Sequence, residues 1–341
     1  MKTTYIISFR LQVRLVSLYD ISVRRFQMAR TKKAFAIVLV LLAVAVFGAT
    51  AQAKVKAAFI VSNMANESQA FSAKQFLKYG SEYGFDMYTF DAKGDTQAES
   101  QIVTNCIAQK FKVIFLNPND INAIVPSLIK AKQAGLIVGM FSSDLSPANQ
   151  KYRDFYAGVN DTMAGQQAAA AFIKQFPNGA KIVEIGGQAG HDAQIKRHDG
   201  FNSALKGSKI QVIDYKACTQ WSTAEAMTIM ENMIVKYGKE IQGVFVHWDN
   251  GATGVIQAAK AAGMNNLFIV GVDGNRAGYV QVKNGDQAIS IAQDFVVMTK
   301  KDLELAQAVV AGKKVEPINF VPLTVVDKAL IESGGFDPPE W

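Results

Sequence analysis

Five short apolar runs along the chain end in a small polar cluster, and each is followed by a stretch with helical spacing: FIVSN, VIFLNPND, IVEIGGQAG, VFVHWDN and FIVGVDGN. Runs of Val, Ile and Phe without a polar alternate suit strands buried on both faces, as in parallel sheets. Open α/β sheets bind ligands in the crevice beyond the carboxyl ends of their strands. The polar clusters therefore locate a site before any chemistry is named.

From Lys54 the pattern predicts strict alternation of strand and helix. The first set is strand 55–61, helix 68–83, strand 86–90, helix 97–108, strand 113–116, helix 123–134, strand 137–141 and a short strand 155–159. A second set repeats it with helix 162–175, strand 181–185, helix 193–205, strand 210–215, helix 223–235, strand 244–246, helix 252–262, strand 267–272, helix 277–282, strand 288–291, helix 296–310 and a short apolar tail. Such alternation implies α/β architecture with two doubly wound parallel-sheet lobes, since crossovers are right-handed. No low-complexity linker separates the sets, so a multi-strand hinge is expected at the junction near Val159.

Composition adds little until the charge is located. The 341 residues are 49% hydrophobic and 19% charged, enough apolar material for two ordinary domains. Residues 1–53 carry eight basic side chains against Asp20 alone, which accounts for the whole net charge of +7 and leaves the remainder neutral. The body therefore gives no electrostatic argument for nucleic acid or a membrane surface.

The leader reads as a secretory signal. From Met28, the expected start, come Arg30, Lys32 and Lys33, an apolar core from Ala34 to Phe47, and Ala51-Gln52-Ala53 as a cleavage site. The apolar run is shorter than the ~20 residues a spanning helix needs. Export permits a disulfide between Cys106 and Cys218 without implying one. Helical spacing of Cys106 with Ile102 and Val103 suggests a small buried hydrophobe.

Enzyme signatures are weak. His191, His198 and His247 lack the spacing of a metal-binding pair and are expected at surface or rim positions, so no metal or cofactor is called for. No Gly-x-Ser-x-Gly elbow is present. The run Gly186 to Gly190 misses the full dinucleotide fingerprint, and a tight turn is its simpler reading. Asn117 with Asn119 and Asp120, Arg197, Asp249, Asp273, and Gln293 with Asp294 form a more coherent set at strand ends. They combine donors and acceptors suited to a polyhydroxylated ligand, with Trp221 or Trp248 as a wall for its C–H face.

In this order, the segments FIVSN, VIFLNPND, AGVNDTMAG, GQAG with KRHDGF, VFVHWDNGATGVIQAAKAAG, FIVGVDGN and ISIAQD resemble a known family. Residues from Lys54 to Asp327 are similar to the periplasmic sugar-binding proteins of ABC importers, ribose-binding type, and to the ligand-sensing core of LacI-type repressors. The resemblance implies the periplasmic binding protein type I fold, with lobes of residues 54–159 plus 294–320 and 160–293 plus 321–341, and crossings near Val159, Asp294 and Val321. It implies that Asn117, Arg197, Asp273 and Gln293 bond sugar hydroxyls, that Trp221 stacks on the ring, and that Ser62 and Asn66 lie in a contributing loop, with Trp248 beside them.

Departures from the family pattern fall at Glu67-Ser68-Gln69, where paired aromatics are common, and at Phe141-Ser142-Ser143-Asp144, where an Asp-Arg pair is. Trp248 stands where a smaller polar residue is usual. A ligand other than D-ribose is therefore expected. The implied role is a non-enzymatic, monomeric solute-binding protein that delivers a small sugar or polyol to an ABC permease in the inner membrane. Partnership with a chemoreceptor or sensor kinase is the alternative. A repressor is disfavoured because a signal peptide stands where DNA-binding helices would be.

Overall fold

The computed structural model describes residues 54–341, so the signal-peptide reading lies outside the described residues. Two six-stranded sheets organise them. The first holds β1 (Val55–Val61), β2 (Phe85–Asp91), β3 (Val113–Asn117), β4 (Ile137–Phe141), β5 (Phe155–Gly158) and β11 (Ile318–Phe320), in the order β11-β5-β4-β3-β1-β2. The second holds β6 (Ala180–Gln188), β7 (Ile210–Cys218), β8 (Gly243–Val246), β9 (Phe268–Asp273), β10 (Ile289–Gln293) and β12 (Leu323–Asp327), in the order β12-β10-β9-β8-β6-β7. All pairings are parallel except β10 with β12. The chain passes between sheets after β5, after β10 and after β11.

Alternating residues of each central strand fill opposite faces, as a pleat requires. Phe59 and Phe115 pack on one side of the first sheet, Ile60 and Leu116 on the other. In the second sheet Val244 and Val246 face one core and Phe245 its opposite. Burying each such side chain contributes roughly 1.5–3 kcal/mol. The covering helices in the first lobe are α1 (Glu67–Tyr79), α2 (Thr96–Ala108) and α3 (Val125–Gln133). Next come α4 (Asp161–Gln175), α5 (Asp192–Leu205), α6 (Thr223–Tyr237), α7 (Asp249–Ala261) and α8 (Arg276–Asn284). The last two are α9 (Phe295–Val310) and the short α10 (Lys328–Glu332).

The tail differs from its sequence reading. It contains β11, β12 and α10, and β12 closes the second sheet as an antiparallel edge. Three to five residues carry too little periodicity to announce a strand; pairing with an existing edge makes them strands. Strand order in both sheets reverses beside its first strand, between β1 and β3 and between β6 and β8. That is the switch point where a crevice opens at the carboxyl ends.

Cys106 and Cys218 are both buried and unpaired. Burial pushes their thiols up to about 11 and about 12. No described helix is long and apolar enough to cross a membrane.

Candidate ligand-binding site

The carboxyl ends of the two sheets enclose a small chamber of about 30 Å³. Asn66, Asn117, Arg197, Trp221, Trp248, Asp273 and Gln293 line it, with Ser68, Gln69, Ser142, His191, Ala193 and Phe295. Ser62 is the one expected contact residue outside that lining. Its carbonyl accepts from Gly94 N at 2.7 Å and from Asn119 Nδ2 at 3.4 Å, so it braces the loop.

Arg197 is held before any ligand arrives. Its Nε donates to Asp161 Oδ1 at 2.8 Å and its Nη1 to the His247 carbonyl at 2.5 Å. Asp161 reaches it because α4 and α5 cross closely: a Cβ on Gly165 would meet Arg197 O at 2.1 Å, and one on Gly200 would meet Thr162 O at 2.1 Å. Behind this layer Glu184, fully buried, lies 2.9 Å from His247 Nε2 and 3.0 Å from His198 Nδ1. Burial would raise the Glu184 carboxyl, but hydrogen bonds from the two histidines outweigh it and hold it below the usual range. Burial also holds His247 below the usual imidazole range, while the Glu184 hydrogen bond lifts His198 above it. His191 and His247 are thus interior residues, contrary to the rim positions expected from sequence.

Asp273 ends β9 with φ 125°, a region unfavourable for a residue with a side chain and one that costs about 1–3 kcal/mol. Gln293 Nε2 donates to its Oδ1 at 2.8 Å. The next amide, Gly274 N, is tied to Asp249 Oδ2 at 2.8 Å. Asp249 also accepts from Gln287 at 2.8 Å and Ser290 at 2.6 Å, and is itself a buried brace for this turn. Asp294 caps α9 through Val296 N and Val297 N. Burial pushes the Asp273 carboxyl up to about 8, with Asp249 adding to the rise and Arg197 opposing it.

On the facing side Asn117 Nδ2 donates to Phe141 O at 3.1 Å, which turns Oδ1 toward Gln69 Nε2 at 2.8 Å and His191 Nε2 at 3.0 Å. Gln69 Oε1 and Gln293 Oε1 are buried with no partner among the described residues. The segment Ser142 to Asp144 makes a different contact from an Asp-Arg grip: Asp144 is claimed by Arg153 in a bidentate pair at 2.5 and 2.7 Å. Ser142, at φ 59°, lines the chamber instead.

The aromatic wall is Trp221 against Trp248, ring centres 5.4 Å apart at 87°. Room for Trp221 comes from Gly187, where a Cβ would sit 2.0 Å from its ring, so this glycine run serves ring packing. Gln69 and His191 were missed as site residues. Gln69 stood in a segment noted only for lacking aromatics, and His191 opens a helix whose approach to β3 no local pattern reveals. Among the described residues no cluster of three or more His, Cys, Asp or Glu side chains is set to hold a metal ion.

A profile of the periplasmic binding protein domain matches residues 57–314. The chain is 28% identical over 264 residues to the ribose import binding protein of Bacillus subtilis, covering 77% of this chain and 84% of that one. It is 27% identical over 271 residues to the xylitol-binding protein of Mycolicibacterium smegmatis, covering 75% and 76%. A Bacillus halodurans ABC transporter solute binding protein with bound myo-inositol superposes with a TM-score of 0.77 at 22% identity, covering 82% of this chain and 97% of that one.

Proposed function

The chain belongs to the periplasmic binding protein family, and from that premise we propose that it captures a small sugar or cyclic polyol between its lobes and delivers it to an ABC permease. Residues 54–159 with 294–320 form one lobe in this reading, and 160–293 with 321–341 the other. The protein works as a monomer in the periplasm after cleavage near Ala53.

One observation carries the ligand class. Gln69 and Gln293, whose side-chain oxygens have no partner among the described residues, line the chamber together with Asp273 and Arg197. Buried acceptors without donors cost about 1–3 kcal/mol each, and vicinal hydroxyls satisfy them while accepting from Arg197. The relatives' ligands, ribose, xylitol and myo-inositol, have that chemistry. A ligand that touches both lobes shifts the hinge equilibrium toward closure, so no covalent step is required.

Calorimetric titration with D-ribose, D-xylose, D-galactose, xylitol and myo-inositol tests the proposal, with solution scattering to follow compaction. Binding of at least one, lost by about 2–4 kcal/mol in Arg197→Ala and Asp273→Ala, is expected. Silence across the panel, or wild-type affinity in both variants, would sink it.

A further inference from the structure

All three tryptophans of the chain line one space. Beside the inner chamber, and sharing Asn66, Ser68, Trp221, Trp248 and Asp273 with it, lies a vestibule of about 510 Å³ that Trp341 also lines. That volume falls in the roughly 300–1,000 Å³ range of pockets that bury whole drug-sized ligands. The chamber behind it has room for little more than a water or two.

Trp341 comes from outside the matched domain, which ends at residue 314. It is nevertheless firmly placed. Phe336 stacks on Tyr279 of α8, ring centres 6.4 Å apart at 29°, and Arg276 N donates to the Trp341 carbonyl at 2.5 Å. The indole stacks on Phe71 of α1 at 5.5 Å and 19° and meets Phe295 edge-on at 5.0 Å. The tail is thus anchored on the second-sheet side by its backbone and on the first-sheet side by its ring. An aromatic surface held at both ends suits the C–H face of a sugar ring.

The polar lining narrows the ligand further. Side-chain amides of Asn63, Gln188, Gln220 and Asn250 offer donors and acceptors together, and among the described residues the only acidic or basic lining side chains are the acids Glu67 and Asp273. With no Lys or Arg at its wall, the vestibule is unsuited to a phosphorylated or acidic sugar. We infer that the site is an extended one: the terminal ring of a neutral disaccharide lies at the mouth of the inner chamber against Trp221 and Trp248, with its hydroxyls on the chamber's polar groups, and the second ring lies in the vestibule against Trp341. This inference rests on the sugar-binding role proposed above.

The experiment compares affinities of the purified protein for D-galactose, D-glucose and myo-inositol with those for lactose, melibiose, maltose and cellobiose. At least one disaccharide is expected to bind ten-fold or more tightly than either of its component sugars. Trp341→Ala should cut that preference about ten-fold and Trp341→Phe should retain most of it, with unfolding midpoints confirming that both variants fold. Single rings that bind as well as disaccharides, or a preference unmoved by Trp341→Ala, would overturn the extended site while leaving sugar binding intact. If no saccharide of either size binds, the sugar-binding reading falls and the extended site with it.

Discussion

His191 donates from Nε2 to Asn117 Oδ1 across 3.0 Å, joining the start of α5 to the end of β3 in the other sheet. The tautomer follows from the partners. Asn117 Oδ1 can only accept, and His191 Nδ1 accepts from Ala193 N at 3.3 Å, capping α5. Burial, with Arg197 and Lys196 nearby, holds the imidazole down to about 3, so the bond persists through the physiological range. His191→Ala is expected to weaken ligand binding about 2–10-fold, the worth of one neutral hydrogen bond formed on closure. Titration at pH 6 and pH 8 should give the same ratio of wild type to variant; a ratio that changes with pH would mean that the histidine ionises.

Asp273 makes binding itself pH-dependent. With its carboxyl pushed up to about 8, the group carries a proton at neutral pH in the unliganded chamber. Hydroxyls that donate to it favour the carboxylate, so binding releases that proton. Affinity should rise from pH 6 toward pH 8 by up to about ten-fold per unit, or ~1.4 kcal/mol, and level off above. Calorimetry in buffers of different ionisation heat measures the release, and Asp273→Asn should abolish it. Proton uptake instead would show that the neutral acid is the donor.

How legible the site was depends on how far its contacts reach along the chain. Asn117, Arg197, Asp273 and Gln293 were readable because each ends a strand or lies in the first two turns of the following helix, and the parallel fold gathers such positions at one edge. Asp249 looked equivalent. Its partners Gln287 and Ser290 lie some 40 residues away, and only the folded sheet shows that they occupy both its oxygens. Gln69, His191 and Trp341 depend on contacts between distant segments, which no window of sequence contains. The Asp144–Arg153 pair is nearer, but its fork became visible only once the 3₁₀ turn between them was placed.

The Glu184 cluster should set the acid limb of stability. Its carboxyl lies below the usual range in the folded protein, so its contribution is present above the ordinary carboxylate pKa and lost as pH falls through the lowered value. His247, held neutral by burial, adds to the same limb, because acid favours its ionisation in the unfolded chain. His198 acts oppositely: its raised value gives stability below the ordinary imidazole pKa that is lost as pH rises through the raised one. Glu184→Gln is expected to cost about 1–3 kcal/mol at pH 7 and to flatten the decline toward pH 4. Urea unfolding across that range decides it, and parallel curves for both proteins would remove Glu184 from the account.

Gly187 ties the glycine run directly to the aromatic wall. A methyl group there would overlap the Trp221 ring at 2.0 Å, and the ring is hemmed on other sides by Trp248 and by His191, whose centre lies 5.3 Å away at 90°. With nowhere nearby to go, Trp221 must swing out of the chamber or push β6 aside. Gly187→Ala should therefore lower stability by about 1–3 kcal/mol, the usual cost of overpacking. Displacement of the indole should also shift tryptophan emission and weaken ligand binding together. A run that instead cradled a phosphate on its backbone amides predicts otherwise, since an alanine methyl leaves those amides in place; unaltered emission with unaltered binding would favour that role over ring packing.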